Sequence, residues 1–200
     1  MSLVGKKAPD FKVKAVQGNQ VIEDYTLSQF ADKKYVVLFF YPFDFTFVCP
    51  TELHAFQEQL AEFEKRNVQV IGASTDSHHS HLAWLNTPKA KGGIEGVAYP
   101  ILADFNKTVT KDYGILKEDL GAAYRGTFLI DKKGVVQHEV VNELGLGRSV
   151  EETLGMVDAL QFNEQHGEVC PANWKKGDTA MKATKAGVET YFNQPQVVHA

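Results

Sequence analysis

Tyr35-Val36-Val37-Leu38-Phe39-Phe40 is a continuous apolar run of strand length, the pattern of a strand buried on both faces. Before it, Phe11, Val13 and Ala15 alternate with polar residues, and past Gln17-Gly18-Asn19 a looser alternation resumes at Val21 and Ile22. That arrangement predicts an N-terminal β-hairpin. After the run, Leu53, Phe56, Leu60 and Phe63 recur at helical spacing in a segment rich in Glu and Gln, which fades at Arg66-Asn67. Val68–Ser74 is the next buried strand, so the three segments predict a strand–helix–strand unit. A helix is expected from about Ser77 to Leu85, stopping before Pro88. Another is expected to be N-capped by Asp104 and to end at Tyr113-Gly114. Thr127–Asp131 and Val135–Val141 flank Lys132-Lys133-Gly134, a hairpin turn signal. Ser149-Val150-Glu151-Glu152 has the form of a capping box, and Val150, Leu154, Val157 and Leu160 mark the apolar stripe of the helix it opens.

Strand–helix units followed by an antiparallel hairpin and a closing helix define the α/β class. After His166-Gly167 the pattern lapses: Pro171, Gly177, Gly187 and Pro195 punctuate a stretch whose one helical segment lies near Val188–Phe192. The chain is therefore expected to divide into a compact domain over 1–166 and an arm over 167–200 that cannot bury a core of its own.

Composition narrows the function. A net charge of −4 argues neither for nucleic acid nor for an anionic membrane as partner. No signal-length or membrane-spanning apolar stretch is present, so a cytoplasmic location is the expectation. In a reducing compartment the two cysteines do not form a structural framework, and transient or catalytic use is the better account.

Cys49 sits where the loop leaving the buried strand enters a helix. Unpartnered backbone N–H groups and the positive end of the helix dipole both favour thiolate over thiol there. Pro50 suits the first helical turn, where its missing N–H is no loss. Between Phe47 and Val48, the same cysteine could instead be a small core hydrophobe. Thr46, a hydroxyl donor three residues earlier, and a partly dry wall of Pro42, Phe43 and Phe45 favour a nucleophile. His78, His79 and His81 lack an accompanying cysteine or carboxylate cluster, so a solvated or interface helix start explains them better than a metal site. Trp84 is expected to be packing.

Pro42-Phe43-Asp44-Phe45-Thr46-Phe47-Val48-Cys49 matches the P-x-x-x-T-x-x-C motif of the peroxiredoxins, and Pro50-Thr51-Glu52 continues it. Gly167-Glu168-Val169-Cys170-Pro171-Ala172-Asn173-Trp174 resembles the resolving-cysteine segment of the typical two-cysteine subclass. Tyr124-Arg125-Gly126-Thr127-Phe128-Leu129-Ile130-Asp131 resembles the strand that carries that family's active-site arginine. The resemblance covers nearly the whole chain and implies a thioredoxin-like fold with an N-terminal hairpin and an extended C-terminal arm.

The resemblance also implies roles. Cys49 would reduce hydrogen peroxide and organic hydroperoxides through a sulfenic acid. Thr46 would donate to the peroxide, Arg125 would stabilise thiolate and developing charge, and Pro42 would shield the sulfur. Glu52 and Arg148 would hold Arg125. For Arg125 and Arg148 the plain alternative is a surface arginine, and for Cys170 an idle tail thiol, although exposed idle thiols are a liability. In the subclass, Cys170 of a partner subunit closes a disulfide with Cys49, and thioredoxin or a flavoprotein disulfide reductase reopens it. A homodimer, assembled into a decamer as a pentamer of dimers, is implied. No metal, organic cofactor, nucleic acid or membrane is implied, and a second role as chaperone or redox relay is compatible. The family's ring contact matches Ser77–His81, where His79 replaces a common aromatic. A G-G-L-G loop that steadies the site in peroxide-sensitive members here reads Gly92-Gly93-Ile94-Glu95, with Glu95 expected to resist a positive φ and its charge expected to loosen packing against the C-terminal helix, while Tyr191-Phe192 of that helix is kept. The closest competing class, a general thiol–disulfide oxidoreductase, would carry C-x-x-C at the helix start, where this chain has Cys49-Pro50-Thr51-Glu52.

Overall fold

The computed structural model describes residues 2–194; Pro195 and the rest of 195–200 lie outside the described residues. In chain order the strands are β1 (Lys12–Gln17), β2 (Gln20–Thr26), β3 (Tyr35–Phe40), β4 (Val68–Ser74), β5 (Ile101–Ala103), β6 (Leu116–Lys117), β7 (Ala122–Ala123), β8 (Arg125–Ile130) and β9 (Val136–Asn142). The helices are α1 (Cys49–Glu58), α2 (Leu60–Lys65), α3 (His78–Leu85), α4 (Thr108–Asp112), α5 (Val150–His166) and α6 (Lys185–Phe192). Contacts group the chain into two compact units, 1–150 and 151–200.

The first unit is built on a seven-stranded mixed sheet of order β2-β1-β5-β4-β3-β8-β9. β3 lies inside it, parallel to β4 and antiparallel to β8, and every one of its residues is buried. Its side chains alternate between two cores, as the two-residue period of a strand requires. Val36, Leu38 and Phe40 join Phe128, Ile130 and Tyr113 on one face. On the other, Phe39 stacks on Phe56 of α1 with ring centroids 4.1 Å apart and meets Tyr99 edge-on at 5.8 Å. That double burial holds the C-terminal end of β3, and the loop that leaves it, at a fixed height over the sheet. The predicted hairpins are formed by β1–β2 and β8–β9.

Four details differ from the sequence-based expectations. The helix after Cys49 is broken at Gln59, where α1 ends and α2 begins, leaving Leu60 only half-buried. Asp104 is not the N-cap of α4, because Lys107 occupies that position with φ +60°. Its carboxylate nevertheless does the capping from further back, accepting from the Val109 and Thr110 N–H groups at 3.1 and 2.7 Å. β5 is too short for periodicity to register. In the loop after α3, Glu95 is not strained: Gly92 and Gly96 take the positive φ values, +76° and +92°. Ile94 is fully buried there, and a Cβ on Gly93 would lie 1.9 Å from the Thr87 carbonyl oxygen. The expected backbone conflict at Glu95 is therefore absent.

In the second unit, the chain after α5 is tied to α5 itself. Trp174 packs on Phe162 with ring centroids 5.0 Å apart, and Lys176 pairs with Asp158 at 3.7 Å. Val169 and Met181 form an antiparallel bridge, and Thr184 caps α6 by accepting from the Gly187 N–H at 3.0 Å. These contacts explain why the division falls at Val150, ahead of the change in sequence character at Gly167.

Candidate active site

The loop leaving β3 is still paired at Tyr41, whose N–H donates to the Ala73 carbonyl at 3.0 Å. Pro42 is buried directly after it. The chain then reverses through Phe45, whose φ of +54° is unusual for a bulky residue and marks a loop held by its surroundings. Cys49 is the first residue of α1 and is fully buried. Val48, the N-cap, offers no side-chain acceptor to the helix start, and Pro50 stands in the first turn. The positive end of the helix is thus left directed at the sulfur.

Two donors converge on that sulfur. Thr46 Oγ1 lies 3.0 Å from Cys49 Sγ, and Arg125 Nη1 lies 3.3 Å from it. Thr46 Oγ1 is also 2.9 Å from the Phe43 carbonyl oxygen. Its single hydroxyl proton serves one acceptor at a time, so it can turn from the carbonyl to whichever atom carries charge. The Arg125 guanidinium is fixed on three sides: Nε and Nη2 donate to the Leu144 carbonyl at 2.9 and 2.7 Å, and Nη1 donates to Glu52 Oε2 at 2.7 Å.

Glu52 stands three residues after Cys49, on the same face of α1. Its other oxygen accepts from Arg148 Nε at 2.9 Å. Arg148 is otherwise held by the Gly126 carbonyl, Thr127 Oγ1 and the Phe40 carbonyl, and its guanidinium lies 5.1 Å from the centre of the Phe39 ring. Burial holds Arg148 below the ordinary guanidinium range, and Glu52 opposes that shift. One carboxylate therefore orders two buried cations, one of which points at the sulfur. Cys49, Thr46, Arg125, Glu52 and Arg148 are thus brought together, and Pro42 is buried in the loop between β3 and α1.

Some expectations do not match. Phe45 and Phe47 are exposed, Phe47 at 93%, so Phe45 does not supply the dry wall expected of it, whereas Pro42 is buried and Phe43 half-buried. His81 is not part of a solvated helix start: it is fully buried and bonded at both ring nitrogens. His78 and His79 do lie near the surface, their rings tilted at 37° with centroids 4.0 Å apart. Among the described residues no group of three or more His, Cys, Asp or Glu side chains is placed to hold a metal. Trp84 is buried as packing, its Nε1 donating to the Gly92 carbonyl at 2.8 Å. Cys170, in the second unit, is half-buried with Sγ 3.6 Å from the Ala159 carbonyl oxygen, and burial raises its thiol above the ordinary value. The Leu144 carbonyl clamp was invisible in the sequence, since a backbone acceptor leaves no residue signature. The buried His54, 3.0 Å from the Gly93 carbonyl, was missed as well.

A buried cysteine at a helix start, under a cationic and a hydroxyl donor on a thioredoxin-like sheet, defines a thiol-dependent redox enzyme. The family model described as AhpC/TSA family matches residues 4–139, and that described as the C-terminal domain of 1-Cys peroxiredoxin matches residues 159–194. Peroxiredoxin-1 of Gallus gallus is 50% identical over 193 residues, covering 96% of each chain. Alkyl hydroperoxide reductase C of Helicobacter pylori is 52% identical over 196 residues, covering 98% of each. The crystal structure of reduced Plasmodium vivax 2-Cys peroxiredoxin superposes with a TM-score of 0.94 at 48% identity, covering 97% of this chain and 100% of that one. The chain belongs to the AhpC/TSA family. No helix among the described residues is long and apolar enough to cross a membrane.

Proposed function

We propose that the chain is a two-cysteine thiol peroxidase in which Cys49 attacks the terminal oxygen of a hydroperoxide. The observation that carries this reading is the pair of donors, Thr46 Oγ1 at 3.0 Å and Arg125 Nη1 at 3.3 Å, on one buried sulfur. In the reaction the S–O bond forms as the O–O bond breaks. The sulfur is oxidised to sulfenic acid, and the departing alkoxide or hydroxide takes up a proton. Negative charge spreads from sulfur onto both peroxide oxygens. Donors already held in place by Glu52, Arg148, Leu144 and Phe43 stabilise that charge with little reorganisation. Pro42 keeps water from the sulfur. Full burial of Cys49 favours small, unhindered hydroperoxides such as hydrogen peroxide and simple organic ones.

The sulfenic acid then condenses with the thiol of Cys170 of the partner subunit, releasing water and forming a disulfide in a homodimer. A dithiol protein, thioredoxin or a flavoprotein disulfide reductase, returns both sulfurs to thiols. On this reading 1–166 carries the peroxidase chemistry and 167–200 the resolving thiol, with dimers assembling further into a decamer. Cytoplasmic operation fits the dithiol reductant.

The test is direct. One equivalent of hydrogen peroxide added to reduced protein should yield a Cys170→Ser variant carrying one added oxygen on Cys49 by mass spectrometry, and a disulfide-linked dimer of the unaltered protein on a non-reducing gel. Cys49→Ser should consume no peroxide, because a serine hydroxyl is not appreciably ionised at neutral pH. Peroxide consumption by Cys49→Ser at the unaltered rate would refute the proposal.

A further inference from the structure

Beneath the loop that carries Thr46 lies a second polar cluster that the chemistry at Cys49 does not use. Asp44, two residues before Thr46, is buried, and its carboxylate takes two bonds. Oδ1 accepts from the Tyr41 hydroxyl at 2.8 Å, and Oδ2 lies 2.8 Å from His81 Nδ1. The Asp44 backbone N–H donates to Asp76 Oδ2 at 2.9 Å, an oxygen that also accepts from Ser74 Oγ at 2.9 Å. Asp44 thus fastens the loop to the end of β3, to the segment after β4 and to α3. The next residue, Phe45, is the one at φ +54°.

The hydrogen bonds of His81 fix a proton count. Its Nε2 lies 3.1 Å from the Leu102 carbonyl oxygen, which can only accept, so Nε2 must carry hydrogen. Its Nδ1 faces a carboxylate oxygen in an interior where both side chains are almost wholly excluded from water, at 0% and 1% exposure. A neutral imidazole with Nε2–H would set a bare lone pair against a carboxylate. A satisfied contact needs one further proton, shared between Nδ1 and Asp44, either as imidazolium and carboxylate or as imidazole and carboxylic acid. The titratable groups facing this pair are Tyr41 at the end of β3, Asp76 after β4, and His78 on α3 itself. Burial and the nearby Asp44 charge both raise the Tyr41 hydroxyl well above its ordinary value, so it remains a donor.

We infer that His81, with Asp44, is a positioning pair for the peroxide reaction: a proton-dependent clasp that fixes the loop presenting Thr46 to Cys49. The inference rests on the proposed peroxidase reading. While the proton is in place, Asp44 anchors the turn at Phe45 and keeps Thr46 Oγ1 at its distance from the sulfur. Without that proton two acceptors would confront each other, the clasp would open and the Thr46 donor would be misplaced.

Asn at position 44 separates this role from mere packing. In Asp44→Asn the side-chain oxygen still accepts from Tyr41, and the amide N–H₂ donates to the bare Nδ1 of a neutral His81. Every bond is kept with no shared proton. The first-turnover rate of reduced protein with hydrogen peroxide would be followed by stopped-flow tryptophan fluorescence, beside circular dichroism and thermal unfolding. His81→Ala should slow that step about 10- to 100-fold, the scale of a displaced transition-state donor. Asp44→Ala should slow it comparably, whereas Asp44→Asn should hold it within about threefold of the unaltered protein. An Asp44→Asn variant as slow as Asp44→Ala, or a folded His81→Ala with the unaltered rate constant, would overturn the inference. If His81→Ala does not fold, the comparison of Asp44→Asn with Asp44→Ala decides alone. An unaltered protein inert to peroxide would instead overturn the peroxidase reading, and this role with it.

Discussion

Replacing Glu52 by Gln tests the frame that aims Arg125. The Glu52, Arg125 and Arg148 side chains are 2%, 4% and 3% exposed, so solvent does little to screen the charges. Gln keeps the shape but removes the one negative charge facing two cations. Of its two terminal atoms only the oxygen accepts, and its N–H₂ must face either Arg125 Nη1 or Arg148 Nε, a donor against a donor. Breaking a buried ion pair from one side costs about 3–5 kcal/mol, chiefly because the remaining charge is left buried and uncompensated. Arg148 makes the cost concrete: burial already disfavours its charged form, and Glu52 is the first influence opposing that. At about 2–4 °C per kcal/mol for a chain of this size, the melting temperature should fall by roughly 6–20 °C.

The rate should fall too. Arg125 retains its two bonds to Leu144, so the guanidinium is not lost, but Nη1 is released from the carboxylate that points it towards Sγ. The first turnover with peroxide should slow by about 10- to 100-fold, the range for a donor that is present but misplaced. Circular dichroism melts and stopped-flow fluorescence measure the two effects. Adding Arg148→Met to Glu52→Gln removes one stranded cation and should restore part of the lost stability, a coupling of about 0.5–3 kcal/mol. A melting temperature within about 2 °C of the unaltered protein together with an unchanged first turnover would refute the reasoning, as would strictly additive losses in the double variant.

Thr46→Val should preserve the fold and slow the first turnover by about 100-fold, the value of one well-placed donor; stopped-flow rates at full burial of Cys49 check it. For Cys170, burial raises the thiol above its ordinary value, so only a small thiolate fraction attacks the sulfenic acid near neutrality. Disulfide formation should therefore quicken by about tenfold per pH unit below that value, measured as the second fluorescence phase, and a pH-independent phase would exclude thiol ionisation as its limit. His79→Phe should abolish any dissociation of larger assemblies on acidification, because the exposed His79 ring lies against His78, whose own protonation is disfavoured first by burial and then by His79. Identical sedimentation profiles across pH for both proteins would rule that out.

What could be read from the sequence was whatever repeats. The two-residue period of the β-hairpins, the unbroken apolar run of β3 and the 3.6-residue stripe after Cys49 each repeat often enough to stand above local noise. Elements of two or three residues, such as β5, β6 and β7, do not repeat at all. They exist because their neighbours offer paired backbone edges. The break at Gln59 was hidden for a related reason: Leu53, Phe56, Leu60 and Phe63 keep the same spacing whether one helix carries them or two. At Asp104 the sequence named the right residue and task, but a side chain that reaches forward to a helix start from outside its N-cap position leaves the same signature as the cap itself.

The site divides along a similar line. Thr46 and Glu52 each lie three positions from Cys49, on a loop and the first turn of a helix, so local rules relate them. Arg125 and Arg148 lie far along the chain, and it was a resemblance, not spacing, that drew them in; geometry then gave the reason, since both need the one carboxylate on α1. The Asp44–His81 contact had neither aid. His78, His79 and His81 are neighbours in sequence, yet helical periodicity sends i and i+3 to one side and i+1 elsewhere only roughly, and burial depends on what the sheet brings over the helix. Leu102 of β5 supplies the carbonyl that seals Nε2, and β5 is the very strand that periodicity could not detect. A histidine's chemistry was thus decided by a three-residue strand, which is why a buried, proton-holding imidazole and a solvated one looked alike until the sheet was assembled.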